Sequence, residues 1–178
     1  MKKLRIVLLL CFPLLGLWPI RCLLLIDFHE QTLLGALPFS RGDRFTVAWV
    51  HSVERTPWRE TYALGPAGEL MLSETAFRSF GAGVPATFDR PVQLEQGWIV
   101  VKGLAVPRAE VIYLISRDDY TLTLGTRSWQ LTRLIPRDHS LQFSLRWRPW
   151  WYPLVYCLPR EDVRAHERID SVVRAGDE

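Results

Sequence analysis

Little in this chain belongs to a catalytic or redox vocabulary. Its 178 residues hold three cysteines, Cys11, Cys22 and Cys157, with no CxxC pair and no Cys/His spacing of the kind that holds zinc. Besides His51, the histidines are His29, His139 and His166, each isolated, so a zinc site lacks the three or four ligands it wants. No G-x-S-x-G elbow is present. Ser52 follows His51 directly, and adjacent strand residues diverge to opposite faces, which disfavours a serine nucleophile paired with that histidine. No helix-period pattern of useful length, internal repeat or low-complexity segment interrupts the chain. The formal charge is only +3, with basic residues mixed among acids as in ERTPWRE and ISRDDY. A nucleic-acid partner would want a concentrated basic face instead. Neither a metal nor a cofactor is expected.

What is present begins with MKKLR followed by IVLLLCFPLLGLWPI, then Arg21 and a second apolar stretch, CLLLI. A basic cap before an apolar run keeps the N-terminus in the cytoplasm and sends the downstream chain across the membrane. The reading is an uncleaved signal anchor over residues 1–26, with a removed signal peptide as the alternative. The run falls short of the about 20 residues of a comfortable span, so Arg21 would have to snorkel to the interface. The PIR before Cys22 does not resemble a lipobox. Cys22 and Cys157 flank the β region, and their pairing stays open.

From Cys22 onward, short apolar runs alternate with Gly, Pro, Asp and Arg clusters about every ten residues, the mark of an antiparallel sandwich or barrel. Candidate strands are LLLIDF, TLLGAL, RFTVAWVH, RETYAL, ELMLSET, GWIVVKG, EVIYLIS, YTLTL, SWQLTRL and LQFSLRW. The turns FSRGD, GPAG and LGTRS place Gly where a tight reversal needs positive φ. The expected fold class is thus all-β, one β domain over 27–147 behind the N-terminal segment. Residues 148–178 follow as an aromatic segment and a charged tail. In that segment Trp147, Trp150 and Trp151 lie beside Arg146 and Arg148, a composition that suits a membrane interface or, alternatively, an aromatic strand closing the core.

Strand parity organises the stretch HSVERTPWRE. Phe45, Val47, Trp49 and His51 share one face; so do Trp58, Glu60, Tyr62 and Leu64, and so do Leu70, Leu72 and Glu74. His51, Glu60 and Glu74 therefore stand at the rims of apolar rows and could meet if the strands pair as successive hairpins. The outcome would be a satisfied polar network that sets register, or a ligand, partner or catalytic site on the same groups. Glu54 is offset from His51 by an odd number and lies on the other side unless the chain bends. In FRSFGAGVP, Gly81 and Gly83 allow either an anion-binding nest or a constrained loop with Phe77 and Phe80 plugged into the core.

Taken together, HSVERTPWRETY, GELMLSETAFRSFGAGVP and GWIVV resemble the domain of unknown function 1850 (DUF1850) family, over roughly Cys22 to Trp147. The resemblance rests on His51, Ser52, Val53 and Glu54 with Trp58 and Glu60, then Glu74, Phe80, Gly81 and Gly83. It implies a small secreted or anchored β protein linked with tripartite ATP-independent periplasmic (TRAP) transporters of the TAXI receptor type. That in turn implies a non-enzymatic accessory subunit on the periplasmic side of the inner membrane, touching the permease or the solute receptor. The family offers no catalytic residues to carry over; those nine site positions, His51, Ser52, Glu54, Trp58, Glu60, Glu74, Phe80, Gly81 and Gly83, are expected to form a motif or partner-binding face. The rival expectation is a small-ligand-binding or hydrolytic domain that uses His51, Glu60 and Glu74, and a third is an envelope structural protein without transport.

Overall fold

Each of the ten apolar runs contributes a strand. The computed structural model describes residues 18–81 and 87–159. Eleven strands occur among them: β1 (Pro19–Asp27), β2 (Thr32–Pro38), β3 (Arg44–Val50), β4 (Pro57–Leu64), β5 (Leu70–Phe77), β6 (Val92–Glu95), β7 (Trp98–Arg108), β8 (Glu110–Ile115), β9 (Thr121–Leu124), β10 (Arg127–Gln130) and β11 (His139–Pro149). A 3-10 turn, Leu131–Arg133, follows β10, and one short helix, α1 (Tyr152–Val155), follows β11. The strand missing from the sequence reading is β6: its VQLE alternates over only four residues, too short a signal to stand out, and three of the four are exposed.

All pairings are antiparallel and fall into two sheets, a small one ordered β2-β1-β11-β8 and a large one ordered β10-β9-β3-β4-β5-β7-β6. Two separate sheets make a sandwich rather than a closed barrel. The chain passes between them at Ala109, the one residue separating β7 from β8. Their facing rows fill a single core, in which Leu23, Leu25, Phe143 and Leu145 of the small sheet meet Phe45, Val47, Tyr62 and Leu122 of the large one. Phe45 joins the layers by stacking on Tyr62 of its own sheet at 5.1 Å and on Phe143 of the other at 5.4 Å. Such ring pairs contribute about 0.5–1.5 kcal/mol each beyond area burial. Gly68 and Gly125 turn with φ of +87° and +60°, the conformations their hairpins demand and side chains resist.

The N-terminal boundary moves. Pro19–Ile26, assigned above to the anchor, is most of β1, and it lies between β2 and β11 rather than beyond the domain. A short continuous apolar run serves equally as a strand buried on both faces. Here Leu23 and Leu25 fill the core, while Cys22 and Leu24 pack outward with Ala36 under Tyr152 of α1. The rest of the expected anchor, residues 1–17, lies outside the described residues. Among the described residues, no helix is long and apolar enough to cross a membrane.

The C-terminal boundary also shifts, since Arg148 and Pro149 still belong to β11. Trp147, Trp150 and Trp151 are exposed, Trp147 by 58%, so they do not close the core. That task falls to the segment after α1. Tyr156 O accepts the Ala36 N–H at 2.8 Å, Leu158 is buried in the main core, and Trp129 Nε1 donates to Pro159 O at 3.0 Å. Cys22 is buried, Cys157 is exposed, and both are free thiols; burial raises the Cys22 thiol pKa, opposed by the Arg148 charge.

Candidate functional site

The motif residues surround the β3–β4 hairpin. The last pair of its ladder is Val50 with Pro57, and residues 51–56 form the tip. Two backbone bonds close it, His51 N–H to Thr56 O and Arg55 N–H to His51 O, both 2.9 Å. Arg55 takes a φ of +53°. The His51 ring is spent within this turn. Its Nδ1 accepts the Glu54 amide N–H at 3.3 Å, which places the proton of the neutral ring on Nε2. The ring also stacks on Trp58 at 5.6 Å. Trp58 in turn stacks on Trp49 at 5.9 Å and on Phe77 at 5.0 Å, so the motif histidine ends a ladder of rings. Trp58 Nε1 is buried with no hydrogen-bond partner among the described residues.

Glu60 shares the inward face with Trp58, as parity requires, but the register sets it opposite Val47, one inward pair below Trp49 and Trp58. It meets tyrosines, not His51. Tyr62 Oη donates to Glu60 Oε2 at 2.7 Å, Tyr113 Oη donates to the same oxygen, and the two hydroxyls lie 2.9 Å apart. Tyr62 stands on β4 and Tyr113 on β8, so this cluster ties the large sheet to the small one. Burial, then the Glu60 charge, pushes both phenol pKa values well above the ordinary value. Both rings remain protonated donors at neutral pH. A carboxylate oxygen that accepts from a tyrosine of each sheet holds the two layers together.

Glu74 departs from the expected meeting altogether. The β4–β5 pairing shifts between Thr61 and Tyr62, with Thr61 opposite Glu74 and Tyr62 opposite Leu72. Ser73 is the extra residue of a β-bulge, its Oγ donating to Thr61 O at 3.0 Å. One added residue reverses the parity beyond it, so Glu74 points to the outer face with Thr61 rather than inward with Leu72. There it pairs with Arg59 at 3.7 Å. The His51, Glu60 and Glu74 cluster is therefore dispersed: one group caps a turn, one bridges the sheets, and one lies on the opposite face.

Glu54 sits where the chain bends at the tip and reaches the loop after β5. It accepts from Ser79 Oγ at 3.4 Å, and its carboxyl occupies the space a Cβ at Gly81 would fill. Glycine at position 81 thus admits the hairpin tip against the 77–81 segment. Phe77 is fully buried, whereas Phe80 is 58% exposed and leans edge-on against Phe77 at 5.3 Å, so only one of the two rings plugs the core. Ser52 is exposed and Val53 is 66% exposed at the tip. Gly83 falls outside the described residues. Among the described residues, no three His, Cys, Asp or Glu side chains gather as a metal would require.

Two features escaped the sequence reading. Tyr113 had a partial signal, since the alternation of EVIYLI places Val111, Tyr113 and Ile115 on one inward row, but nothing local names Glu60 as its partner. The second is Asp27. It is buried, accepts the His29 and Glu30 amides at 3.0 and 3.2 Å, and lies 2.8 Å from His139 Nδ1. It locks the end of β1 to the start of β11, and the His139 hydrogen bond, ahead of the opposing burial, lowers its carboxyl pKa.

Residues 45–131 match the family model described as Domain of unknown function (DUF1850). No curated protein and no solved structure matches the chain. The match runs from within β3 through β10, so it takes in the large sheet and β8, including all the motif positions. It is narrower than the Cys22 to Trp147 resemblance and leaves out β1, β2 and β11 of the small sheet.

Proposed function

We propose that the protein carrying this DUF1850 domain is a non-enzymatic accessory subunit of a TAXI-type TRAP solute transporter, held at the periplasmic side of the inner membrane. The β3–β4 tip is its contact with the permease or the solute receptor. One observation carries the reading. The ionisable motif groups are absorbed into the scaffold, while Ser52, Val53 and Arg55 at the tip are exposed. His51, Glu54 and Gly81 brace that tip from beneath. A braced, exposed turn on a rigid sandwich is the usual placement of a recognition surface. The transporter link itself comes from the family resemblance, and the basic cap and apolar run of residues 1–17 support the location.

The rival ligand-binding or hydrolytic reading asked for His51, Glu60 and Glu74 around one point, and their separation removes its geometric basis. Affinity capture of the full chain in mild detergent, followed by mass spectrometry, tests the accessory role. The permease or receptor should be recovered with the wild type and reduced with Val53→Asp. Capture that returns neither subunit from cells expressing both would overturn the reading.

A further inference from the structure

One end of the sandwich combines features that the accessory role does not use. A groove of about 430 Å³ opens between the β1 and β11 ends, the Ser40–Arg41 corner and the 65–68 turn. Arg21, Arg41 and Ser40 line it, and among the described residues no acidic side chain does. Asp43 is engaged with the Ser40 amide at 2.7 Å, and Glu69 packs against Gly65. The Arg21 guanidinium lies over the Trp147 ring at 4.6 Å and against the 65–68 turn at Gly68. Its planar, weakly hydrated charge suits bidentate contact with phosphate oxygens.

The rim of this groove is apolar and aromatic. Trp147 is 58% exposed and Trp18 67%, and Trp18 O accepts the Trp150 N–H at 3.0 Å, so the strand ends hold these residues together. Leu154 and Val155 of α1, a few residues beyond Trp150 in the chain, are also 68% and 63% exposed. Exposed tryptophans beside arginines match the headgroup layer of a bilayer, where an amphipathic ring is wet at one edge and dry at the other. Chain geometry favours the same partner. Leu17 stands near the end of the apolar run that follows Lys2, Lys3 and Arg5 and closes at Ile20. Arg21 lies only four residues beyond Leu17, within about 14 Å even when the chain is fully extended.

We propose that this end of the sandwich seats on an anionic bilayer, with Trp18 and Trp147 at headgroup depth and a lipid phosphate held between Arg21 and Arg41. The docking rests on the membrane-tethered reading above and adds to it a fixed orientation. The β1/β11 end lies on the lipid, and a basic groove selects anionic headgroups. Attraction to such a surface is worth about a fivefold change in occupancy per arginine.

The test uses the full chain, labelled with 5-fluorotryptophan and reconstituted in nanodiscs of neutral or anionic lipid, some lipids carrying a paramagnetic headgroup. Signals are assigned by single Trp→Phe variants. In anionic discs the Trp147 and Trp18 signals should broaden while that of Trp129, buried in the core, does not. In neutral discs, or for the double variant Arg21→Gln/Arg41→Gln in anionic discs, the docked-to-undocked ratio should fall about 25-fold, with an unchanged Trp129 signal reporting an intact fold. Co-elution with the disc but no Trp147 broadening in anionic lipid overturns the docking and leaves the tether standing. Failure to co-elute overturns the tether, and the docking with it. A Trp147 shift produced by inorganic phosphate in lipid-free micelles, with no broadening in discs, would reassign the groove to a free anion and likewise overturn the proposal.

Discussion

At the scale of single residues, the motif carboxylates show how environment assigns roles to identical groups. Glu60 accepts from two tyrosines between the sheets, and Glu74 meets one arginine on the outer face. Tyr113→Phe removes one charge-assisted donor from a half-buried carboxylate and should cost about 2 kcal/mol of unfolding free energy. Glu60→Ala, which removes the acceptor of both hydroxyls and leaves them only each other, should cost more than Tyr113→Phe, and urea unfolding of the two variants checks the order. Asp27 offers a pH test. Its folded pKa is lowered by His139 and by the turn amides, so its contribution to stability is present above the unfolded carboxylate pKa and is lost as pH falls through the folded value. The wild-type Tm should therefore drop more steeply below about pH 4 than that of Asp27→Asn. Parallel curves would show that the carboxylate contributes nothing.

Among the elements, β5 decides most. Its bulge at Ser73 converts a strand with a simple apolar row into one whose two halves present opposite faces, Leu70 and Leu72 inward and Glu74 outward. Ser73→Ala loses one hydrogen bond to Thr61 O and should cost about 1 kcal/mol. Deleting Ser73 is a different perturbation. It joins Leu72 directly to Glu74, removes the bulge against β4 and leaves Leu72 inward and Glu74 outward, opposite the partners they already have. The deletion should therefore still melt cooperatively, as Ser73→Ala does, and circular dichroism melts would show it. Loss of cooperative melting in the deletion alone would mean that the bulge itself, and not only its hydrogen bond, sustains the pairing of β5.

For the whole molecule, the question is what seals two sheets whose edges remain open. The chain after α1 runs past the β2 edge, lays Leu158 against Gly35 and receives the Trp129 indole N–H at Pro159 O. The small sheet is thereby closed over the core by residues that come after its last strand. Leu158→Ala should cost about 2–5 kcal/mol, as deletion of a buried leucine does, and a urea midpoint within error of the wild type would show that this seam is not part of the core. The division of the fold at this scale is informative. The DUF1850 match covers the large sheet and β8, while β1, β2, β11 and the seam complete the sandwich and carry the Arg21 groove.

The sequence by itself determined the all-β class, the strand positions and the turns, because alternation of apolar residues and Gly or Pro punctuation are local and survive without knowing what pairs with what. It also identified the inward faces of His51, Glu60 and Tyr62, since parity holds along an unbroken strand. Only the tertiary structure decided where those faces lead. A single bulged residue at Ser73 reversed Glu74, a contact spanning half a hundred residues joined Tyr113 to Glu60, and the apolar run of β1 proved to be a strand packed on both faces. Each of these depends on a neighbour distant in sequence, and local pattern carries no information about a partner across the sandwich.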